Sequence, residues 1–293
     1  RVPEPLEVIP GLADDDFGFH YVQVDAPERD AVGGYARETQ QEKSEVMALQ
    51  TKISGARSVG LVLEWVTSHE DQLDALHAAT ALHRIARLGR ISASHPICET
   101  LFKRLEEPGA VENLGAQAQV CLLWSLSRLS FAPAFLRQLM TASSVADFSG
   151  HQLATALYSL ARLELNGLVS TWQEHQNLVE ALHREVQRRQ KALGPGATSA
   201  MDTILLADAL AKLQIRDEVL FTSMASAICK HLDANQLKIR EIRHAASAFS
   251  QMGMVEKQLM TKMMSWLRPR LDDCTSNDLS ALAFSFSRAV AVA

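Results

Sequence analysis

The sequence predicts an all-α protein, an α-solenoid of about six helix-turn-helix repeats that follows an extended N-terminal arm. Three observations predict this class. A short apolar phrase with a basic residue near its end recurs six times, a second amphipathic helical pattern lies between successive copies, and aromatic residues make up only 6% of a chain rich in leucine and alanine. Leucine and alanine both favour helix. We therefore divide the chain into an arm, residues 1–45, and a helical repeat array, residues 46–293.

The N-terminal arm is acidic and shows no helical periodicity. It contains Pro3, Pro5 and Pro10, and residues 1–48 hold eleven acidic and four basic side chains, a net charge of −7. Only FHYVQV (19–24) has the composition of a short strand. Such a segment cannot bury enough surface by itself to offset its ordering entropy. We expect it to become ordered against a neighbouring protein of an assembly, because its charge disfavours a path along RNA phosphates.

The recurring phrase sets the repeat length. Its six copies end 41, 34, 50, 39 and 37 residues apart, and the interval of 50 contains the insertion Gly194-Pro195-Gly196. Periods in this range are typical of arrays of helix pairs. The copies are ALHRIARL (81–88), LLWSLSRL (122–129), ALYSLARL (156–163), LADALAKL (206–213), AASAFSQM (245–252) and LAFSFSRA (282–289).

A second amphipathic helix is predicted between successive phrases. Turn residues such as Gly89, Pro108-Gly109 and Asn166-Gly167 mark the ends of the helices. Each repeat is therefore a helix A, which carries the phrase, followed by a helix B. The helix B segments are ICETLFKRLEE (97–107), PAFLRQLM (133–140), QNLVEALHREVQRRQ (176–190), VLFTSMASAICKHL (219–232) and KQLMTKMMSWL (257–267).

The second phrase shows how a helix A is built. At about 100° per residue, Leu122, Leu126 and Leu129 form one apolar stripe, which we expect to pack against helix B. Ser125 and Ser127 fall on the two flanks of that stripe. Small side chains on both flanks let successive A helices lie close together, as a solenoid requires.

Trp124 and Arg128 then point away from helix B, onto the surface formed by the row of A helices. At the corresponding positions of the six copies, the first residue varies and the second is basic in five. A varied residue followed four positions later by a fixed charge suits a surface that grips an RNA backbone and touches its bases. The pairs are His83 and Arg87, Trp124 and Arg128, Tyr158 and Arg162, Asp208 and Lys212, Ser247 and Gln251, and Phe284 and Arg288.

Two interpretations of these pairs remain open. In the first, Trp124, Tyr158 and the basic residues of the pairs contact RNA. In the second, Trp124, Tyr158 and Phe284 pack into neighbouring repeats, and the basic side chains are solvated or cap acidic partners. Packing is the commoner role of a single aromatic residue, whereas repetition of a charge at one position favours ligand contact. We call the basic residues the basic column, which consists of Arg87, Arg128, Arg162, Lys212 and Arg288.

Two further basic segments are candidates for phosphate contact. KIREIRH (238–244) begins a helix A and places Lys238, Arg240 and Arg243 near a helix N-terminus, which favours an anion. HREVQRRQK (183–191) ends a helix B. An ordinary charged helix face is the alternative for both segments.

The sequence predicts neither an enzyme nor a metal or cofactor site. It contains no HExxH, GxSxG, GxGxxG or phosphate-binding loop motif. The four cysteines lie far apart without a CxxC pair, which predicts buried free thiols rather than disulfides or a zinc site. Asp14-Asp15-Asp16 is more typical of a solvated acidic turn than of a metal site. No charge-free run is long and apolar enough to span a bilayer.

Four of the phrases resemble the helix A signature of organellar helical-repeat proteins. LLWSLSRLS, ALYSLARLEL, LLADALAKLQI and DLSALAFSFSRA are similar to the LxxLLWALAKLG pattern of the octotricopeptide and heptatricopeptide repeat families, which are related to RAP and FAST-kinase-like proteins. The resemblance covers about residues 70–293. It implies RNA binding inside mitochondria or plastids, in transcript processing, transcript stability or ribosome assembly. Some such proteins are permanent parts of divergent mitochondrial ribosomes.

Two functions therefore fit the sequence. The first is an organellar RNA-binding protein, most concretely a mitochondrial ribosomal component of the matrix that binds ribosomal RNA and contacts neighbouring ribosomal proteins through its arm. A plastid location and a role in transcript processing or stability are alternatives to it. The second function is a protein-binding scaffold of armadillo or HEAT type, which the net charge of +2 over residues 49–293 favours. The chain begins with Arg1 rather than Met, so a cleaved targeting peptide or a boundary of the sequence is expected there.

Overall fold

The protein is all-α, as predicted. The computed structural model describes residues 40–89, 91–193, 199–254 and 256–292, and within these ranges it contains thirteen α-helices, three short 3₁₀ helices and no strand. Residues 1–39 of the predicted arm, with the FHYVQV segment and the acidic run, lie outside the described residues, and so does the insertion at Gly194-Pro195-Gly196. The first helix begins at Gln40, so residues 40–45 belong to a helix rather than to the arm.

The chain divides into two compact units, residues 1–144 and residues 145–293. In unit 1, three A helices follow one another: α1 packs against α3, and α3 packs against α5. Helix α2 packs on α1 and α3, α4 packs on α3, and α6 packs on α5. The pair α1–α2 precedes the first phrase. The helices of unit 1 are α1 (Gln40–Gly55), α2 (Val59–Ser68), α3 (Ala75–Leu88), α4 (Pro96–Leu105), α5 (Ala116–Leu129) and α6 (Phe135–Ala142).

Unit 2 has the same alternation. Its A helices α7, α9, α11 and α13 contact one another in chain order, and α8, α10 and α12 pack on α7, α9 and α11 respectively. All six phrases thus lie in A helices and all five predicted B helices are present. The helices of unit 2 are α7 (Gly150–Leu165), α8 (Gln173–Leu193), α9 (Ala200–Lys212), α10 (Glu218–Asp233), α11 (Ile239–Met252), α12 (Lys257–Leu267) and α13 (Ser276–Val292).

Side-chain caps and turn residues fix where these helices begin and end. Ser149 accepts a hydrogen bond from the backbone N–H of Gln152, and the Gln152 side chain accepts one from the backbone N–H of Ser149, which forms a capping box at the start of α7. Ser199 caps α9 by accepting from the backbone N–H of Asp202. Helix α11 ends at Met252, and the following Gly253 has a φ of 63°, in the left-handed region that glycine adopts without strain.

The leucine stripe and the small flank residues of α5 and α7 are buried as the helix angles predict. Leu126 of α5 and Leu160 of α7 are completely buried, and so are the flank residues Ser125, Ser127 and Ser159. The three hydroxyls donate to carbonyls of their own helices at 2.6, 2.8 and 2.7 Å. Burial of these serines therefore leaves no hydroxyl donor unpaired, and neighbouring helices can approach closely.

Asp217 joins the start of α10 to α8. Its Oδ1 accepts from the backbone N–H of Leu220 at 3.0 Å, and its Oδ2 accepts from Gln187 Nε2 at 2.7 Å and lies 3.0 Å from His183 Nε2. Burial alone would raise the pKa of this carboxyl, but the hydrogen bonds from Gln187, Leu220 and His183 outweigh burial and lower the pKa.

We expect Asp217→Ala to lower the free energy of unfolding by about 1–2 kcal/mol at pH 7, because it removes an N-cap and the acceptor of the Gln187 amide. A depressed pKa means that this contribution is present above the unfolded-state pKa and is lost as the pH falls through the folded-state pKa. Urea unfolding at several pH values measures the difference from the wild type, which should shrink in acid.

Two variants serve as controls for this substitution. Asp217→Asn keeps one acceptor oxygen and should lose less stability than Asp217→Ala. Glu218→Ala changes an exposed neighbour and should stay within about 0.5 kcal/mol of the wild type. If Asp217→Ala behaved like Glu218→Ala, the capping role of Asp217 would be wrong.

Candidate nucleic-acid interface

The basic column lies towards the C-terminal ends of A helices. Arg87, Arg128, Arg162 and Lys212 are in the last turns of α3, α5, α7 and α9, and each is half-buried. Arg288 of α13 is exposed. A positive charge in the last turn interacts favourably with the helix dipole, so this position is stabilising even without a ligand.

The arginines of unit 1 reach back to the preceding helix of the row. Arg128 Nε donates to the carbonyl oxygen of Ala86 in α3 at 2.7 Å, and Arg84 Nε donates to the carbonyl oxygen of Ala56, just after α1, at 2.6 Å. A guanidinium has five N–H groups, so a bond at Nε orients the group without exhausting its donors. The phrase pattern did not single out Arg84, because it occupies a flank position that small residues fill in later copies.

The indole of Trp124 is buried in the row of A helices. Trp124 is 5% exposed, and its ring centroid lies 5.2 Å from that of His83 in α3. The guanidinium carbon of Arg128 lies 5.5 Å from the Trp124 ring centroid, within the range of a cation–π contact. Burial lowers the pKa of His83 to about 4, and the charge of Arg87 adds to the effect. At neutral pH the indole is therefore contacted by an uncharged imidazole and a guanidinium.

The ring of Tyr158 is covered in the same way in unit 2. Tyr158 is 1% exposed, with the guanidinium carbon of Arg162 at 6.0 Å and the ammonium of Lys212, from α9, at 4.7 Å from its centroid. Trp124 and Tyr158 thus pack within the rows of their own units, as the second interpretation expects. Neither ring presents an open face for stacking on a base, so the RNA hypothesis rests on the basic side chains.

In α9, Asp208 occupies the position that Trp124 and Tyr158 occupy in α5 and α7. It forms an ion pair with Lys212 of the basic column. Lys212 Nζ lies 2.7 Å from Asp208 Oδ2, and His244 Nδ1 of α11 lies 3.7 Å from the same oxygen. The Asp208 side chain is only 5% exposed. The charge of Lys212 is therefore balanced inside unit 2, which makes it a weaker candidate for phosphate than the arginines of the column.

The segment at the start of α11 separates into residues with different surroundings. Lys238 is exposed at the N-cap position, where its backbone N–H donates to Glu241 Oε2 at 2.7 Å. Arg240 is half-buried, and Arg243 Nε lies 3.5 Å from Asp278 Oδ1 of α13. Of the three predicted cations, Lys238 is the one that the fold leaves most exposed.

The basic end of α8 is partly neutralised within the helix. Arg188 and Arg189 donate to Glu185 at 2.6 and 2.7 Å, and these hydrogen bonds lower the pKa of Glu185 to about 2. Arg184 and Lys191 are exposed on the same helix. The Arg188 side chain is 66% exposed, and an ion pair with so exposed a partner contributes little to stability.

Other kinds of site are not formed by the described part of the chain. Within it, no group of three or more His, Cys, Asp and Glu side chains is placed to hold a metal ion. The four cysteines are free thiols; Cys98 and Cys229 are buried, whereas Cys121 and Cys274 are half-buried. Among the described helices, none has the length and apolar character to cross a membrane.

The chain matches no model of a known protein family and no curated protein. The resemblance to organellar repeat proteins therefore rests on the phrase residues alone. What that resemblance implies about RNA and about location stays a proposal.

Proposed function

We propose that this protein is a non-catalytic organellar RNA-binding α-solenoid of about six helical repeats. Its most concrete role is that of a mitochondrial ribosomal component in the matrix, which binds and stabilises ribosomal RNA and contacts neighbouring ribosomal proteins through its acidic arm. The observation that carries the proposal is a positive charge at one position in five of the six phrases.

The charge distribution of unit 1 supports an RNA-facing row of A helices. Helices α3 and α5 together contain three arginines, namely Arg84, Arg87 and Arg128, and no acidic residue. Two of these guanidiniums are held through Nε by backbone carbonyls. Preorganised arginines suit phosphate because their planar fork matches its oxygens in a bidentate geometry.

The helix contacts support the solenoid part of the proposal. In each unit the A helices contact one another in chain order, and each A helix before α13 is followed by a helix that packs on it. This alternation of A and B helices is what stacked helix pairs produce. The organellar and ribosomal parts rest on the resemblance of the phrases.

A protein-binding scaffold is the second candidate, and the internal ion pairs favour it. Lys212 is balanced by Asp208, and Arg243 lies next to Asp278, so unit 2 offers less unbalanced positive charge along its A helices than the sequence pattern implies. Sedimentation of the native protein with and without RNase distinguishes the two candidates. An RNA-dependent shift from a large particle supports the first, and an RNase-resistant complex supports the second.

The direct test is binding to a fluorescein-labelled single-stranded RNA of mixed sequence, measured by anisotropy at several salt concentrations. The variant carries Arg87, Arg128, Arg162 and Arg288 changed to Gln and retains Lys212, because Lys212 is the partner of buried Asp208. We expect at least a tenfold loss of affinity. The slope of log K against log salt should become shallower by about 0.7 for each phosphate that the variant no longer neutralises.

The control variant removes the same charge from exposed positions outside the A helices and outside the two further basic segments, with Arg57, Lys103, Arg137 and Arg216 changed to Gln. A loss of affinity equal to that of the column variant would show a general charge effect and contradict a specific surface. Circular dichroism of both variants verifies folding. An unchanged affinity and salt slope in a folded column variant would also overturn the proposal.

A further inference from the structure

Helix α13 packs on α11 with one flank only. Leu282 and Ser285 are 4% exposed, and the carboxylate of Asp278 lies 3.5 Å from Arg243 of α11. These three residues fall within about 60° of one another around the helix. They define the flank through which α13 joins the row of A helices.

The opposite flank of α13 is exposed and uncharged, and it includes Ser276 and Ser280. It carries Leu279, Ala283, Phe284 and Ser287, of which Leu279 is 42% and Phe284 is 63% exposed. These four residues lie within about 140° around the helix and include no charge. Arg288 borders this flank, with its guanidinium carbon 5.7 Å from the Phe284 ring centroid.

In the earlier A helices of unit 2, the equivalent flank is the one that the next A helix covers. The ammonium of Lys212 from α9 lies over the ring of Tyr158, and the imidazole of His244 from α11 lies next to the carboxylate of Asp208. Both Tyr158 and Phe284 also have an arginine of their own helix near the ring, at 6.0 and 5.7 Å. The equivalent residues, all buried, are Leu153, Leu157, Tyr158 and Ala161 in α7, and Thr203, Ala207, Asp208 and Ala211 in α9.

We propose that the exposed flank of α13 docks a helix of a partner protein that has the chemistry of α9. That helix carries a Lys or Arg over the ring of Phe284, as α9 carries Lys212 over the ring of Tyr158. It also carries an Asp or Glu four positions before that cation, as Asp208 precedes Lys212, because a second cation near Arg288 needs a compensating charge. The surface thus continues the packing interface that α7 and α9 use inside the unit.

A second copy of this chain fits the flank less well. Contact through α13 of both copies brings a second Arg288 towards the first without an acidic residue, since residues 279–288 contain none. Like charges at such a contact oppose association. This surface borders the basic column at Arg288, but the test below uses neither RNA nor a substitution of Arg288, so either proposal can fail without the other.

The test uses a fluorescein-labelled peptide with the sequence of residues 199–214, which contains α9. A hydrocarbon staple between positions 207 and 211, on the flank that α11 covers in the chain, holds the peptide helical, and circular dichroism verifies this before use. The peptide is titrated with the full chain and followed by anisotropy. We expect saturable binding that weakens at least tenfold with Phe284→Asp in the chain, and at least fivefold with Lys212→Glu in the peptide.

Val219→Asp is the matched control, because Val219 is a large apolar side chain of α10 that is 79% exposed in the same unit. It should leave peptide binding unchanged. Failure of the helical peptide to bind, or binding that survives Phe284→Asp, would overturn the proposal. Sedimentation equilibrium of the chain alone tests a second copy as the occupant: a dimer that Phe284→Asp dissociates would assign the flank to a second copy and reject a partner protein.

Discussion

Replacing Leu126 with alanine is expected to lower the free energy of unfolding by about 2–5 kcal/mol, the range typical of a truncated buried leucine. Leu126 is completely buried in α5, in the leucine stripe of the phrase. Protein interiors are close-packed, so removal of three carbon atoms leaves a cavity that neighbouring side chains fill only in part. Leu160→Ala, at the equivalent position of α7, should have an effect in the same range.

Thermal melts and urea unfolding measure both substitutions. Gln138→Ala is the control, because Gln138 is exposed on α6 and makes no comparable contact. Leu126→Met conserves most of the volume and should lose less than about 1.5 kcal/mol. If Leu126→Ala shifted the melting temperature no more than Gln138→Ala, the assignment of Leu126 to a packed stripe would be wrong.

The positions of the helices could be predicted because the apolar residues of each phrase repeat with the helical period. Helix α1 shows where this fails. It packs on α3 as an A helix, but its sequence contains no copy of the phrase. Gln50 is buried and donates to Thr80 Oγ1 of α3 at 2.6 Å. A hydrogen bond between two residues so far apart in the chain leaves no periodic pattern in the sequence, so it could not be predicted from the phrase.

The environment of the candidate site could be predicted only in part. Helix angles correctly place Leu126 and Trp124 on different sides of α5. They do not show how closely a neighbouring helix approaches the side that carries Trp124. The contacts that cover the rings come from other helices: His83 of α3 lies against Trp124, and Lys212 of α9 lies over Tyr158. These contacts depend on the register between neighbouring helices, which a single phrase does not specify.

The division into two units has no counterpart in the repeat spacing. It falls after Ser144, between the second and third phrases, which are the two closest together, with ends 34 residues apart. Nor does the phrase pattern show that Asp208 is a buried charge, because it predicts only that this position varies. Helix periodicity cannot show which distant cations compensate such a residue.

Asp208 carries the second large expected effect. Its carboxylate lies 2.7 Å from Lys212 Nζ and 3.7 Å from His244 Nδ1. Burial alone would raise the pKa of Asp208, but the nearby imidazole of His244 and the charge of Lys212 outweigh burial and lower the pKa. The group is therefore ionised at neutral pH, and it compensates the positive charge that lies over Tyr158.

We expect Asp208→Ala to lower the free energy of unfolding by about 3–5 kcal/mol at pH 7, because Lys212 and His244 would remain in a buried site without their carboxylate. The double variant Asp208→Leu/Lys212→Met should recover most of this loss, since apolar residues of similar volume often replace a buried ion pair without cost. Asp233→Ala is the control: it removes one partner of the exposed Asp233–Lys262 pair in the same unit and should cost less than about 1 kcal/mol.

The pH dependence of this loss tests the charge of Asp208 directly. Because the folded-state pKa is depressed, the stability that Asp208 contributes is fully present above the unfolded-state pKa, which is about 4, and is lost as the pH falls through the folded-state value. Urea unfolding of the wild type and Asp208→Ala between pH 7 and about pH 3 should therefore show a difference that is constant near neutrality and narrows in acid. If the stability difference between the wild type and Asp208→Ala stayed constant over the whole pH range, Asp208 would act through packing alone. In that case the double variant Asp208→Leu/Lys212→Met would be no more stable than the single variant Asp208→Leu.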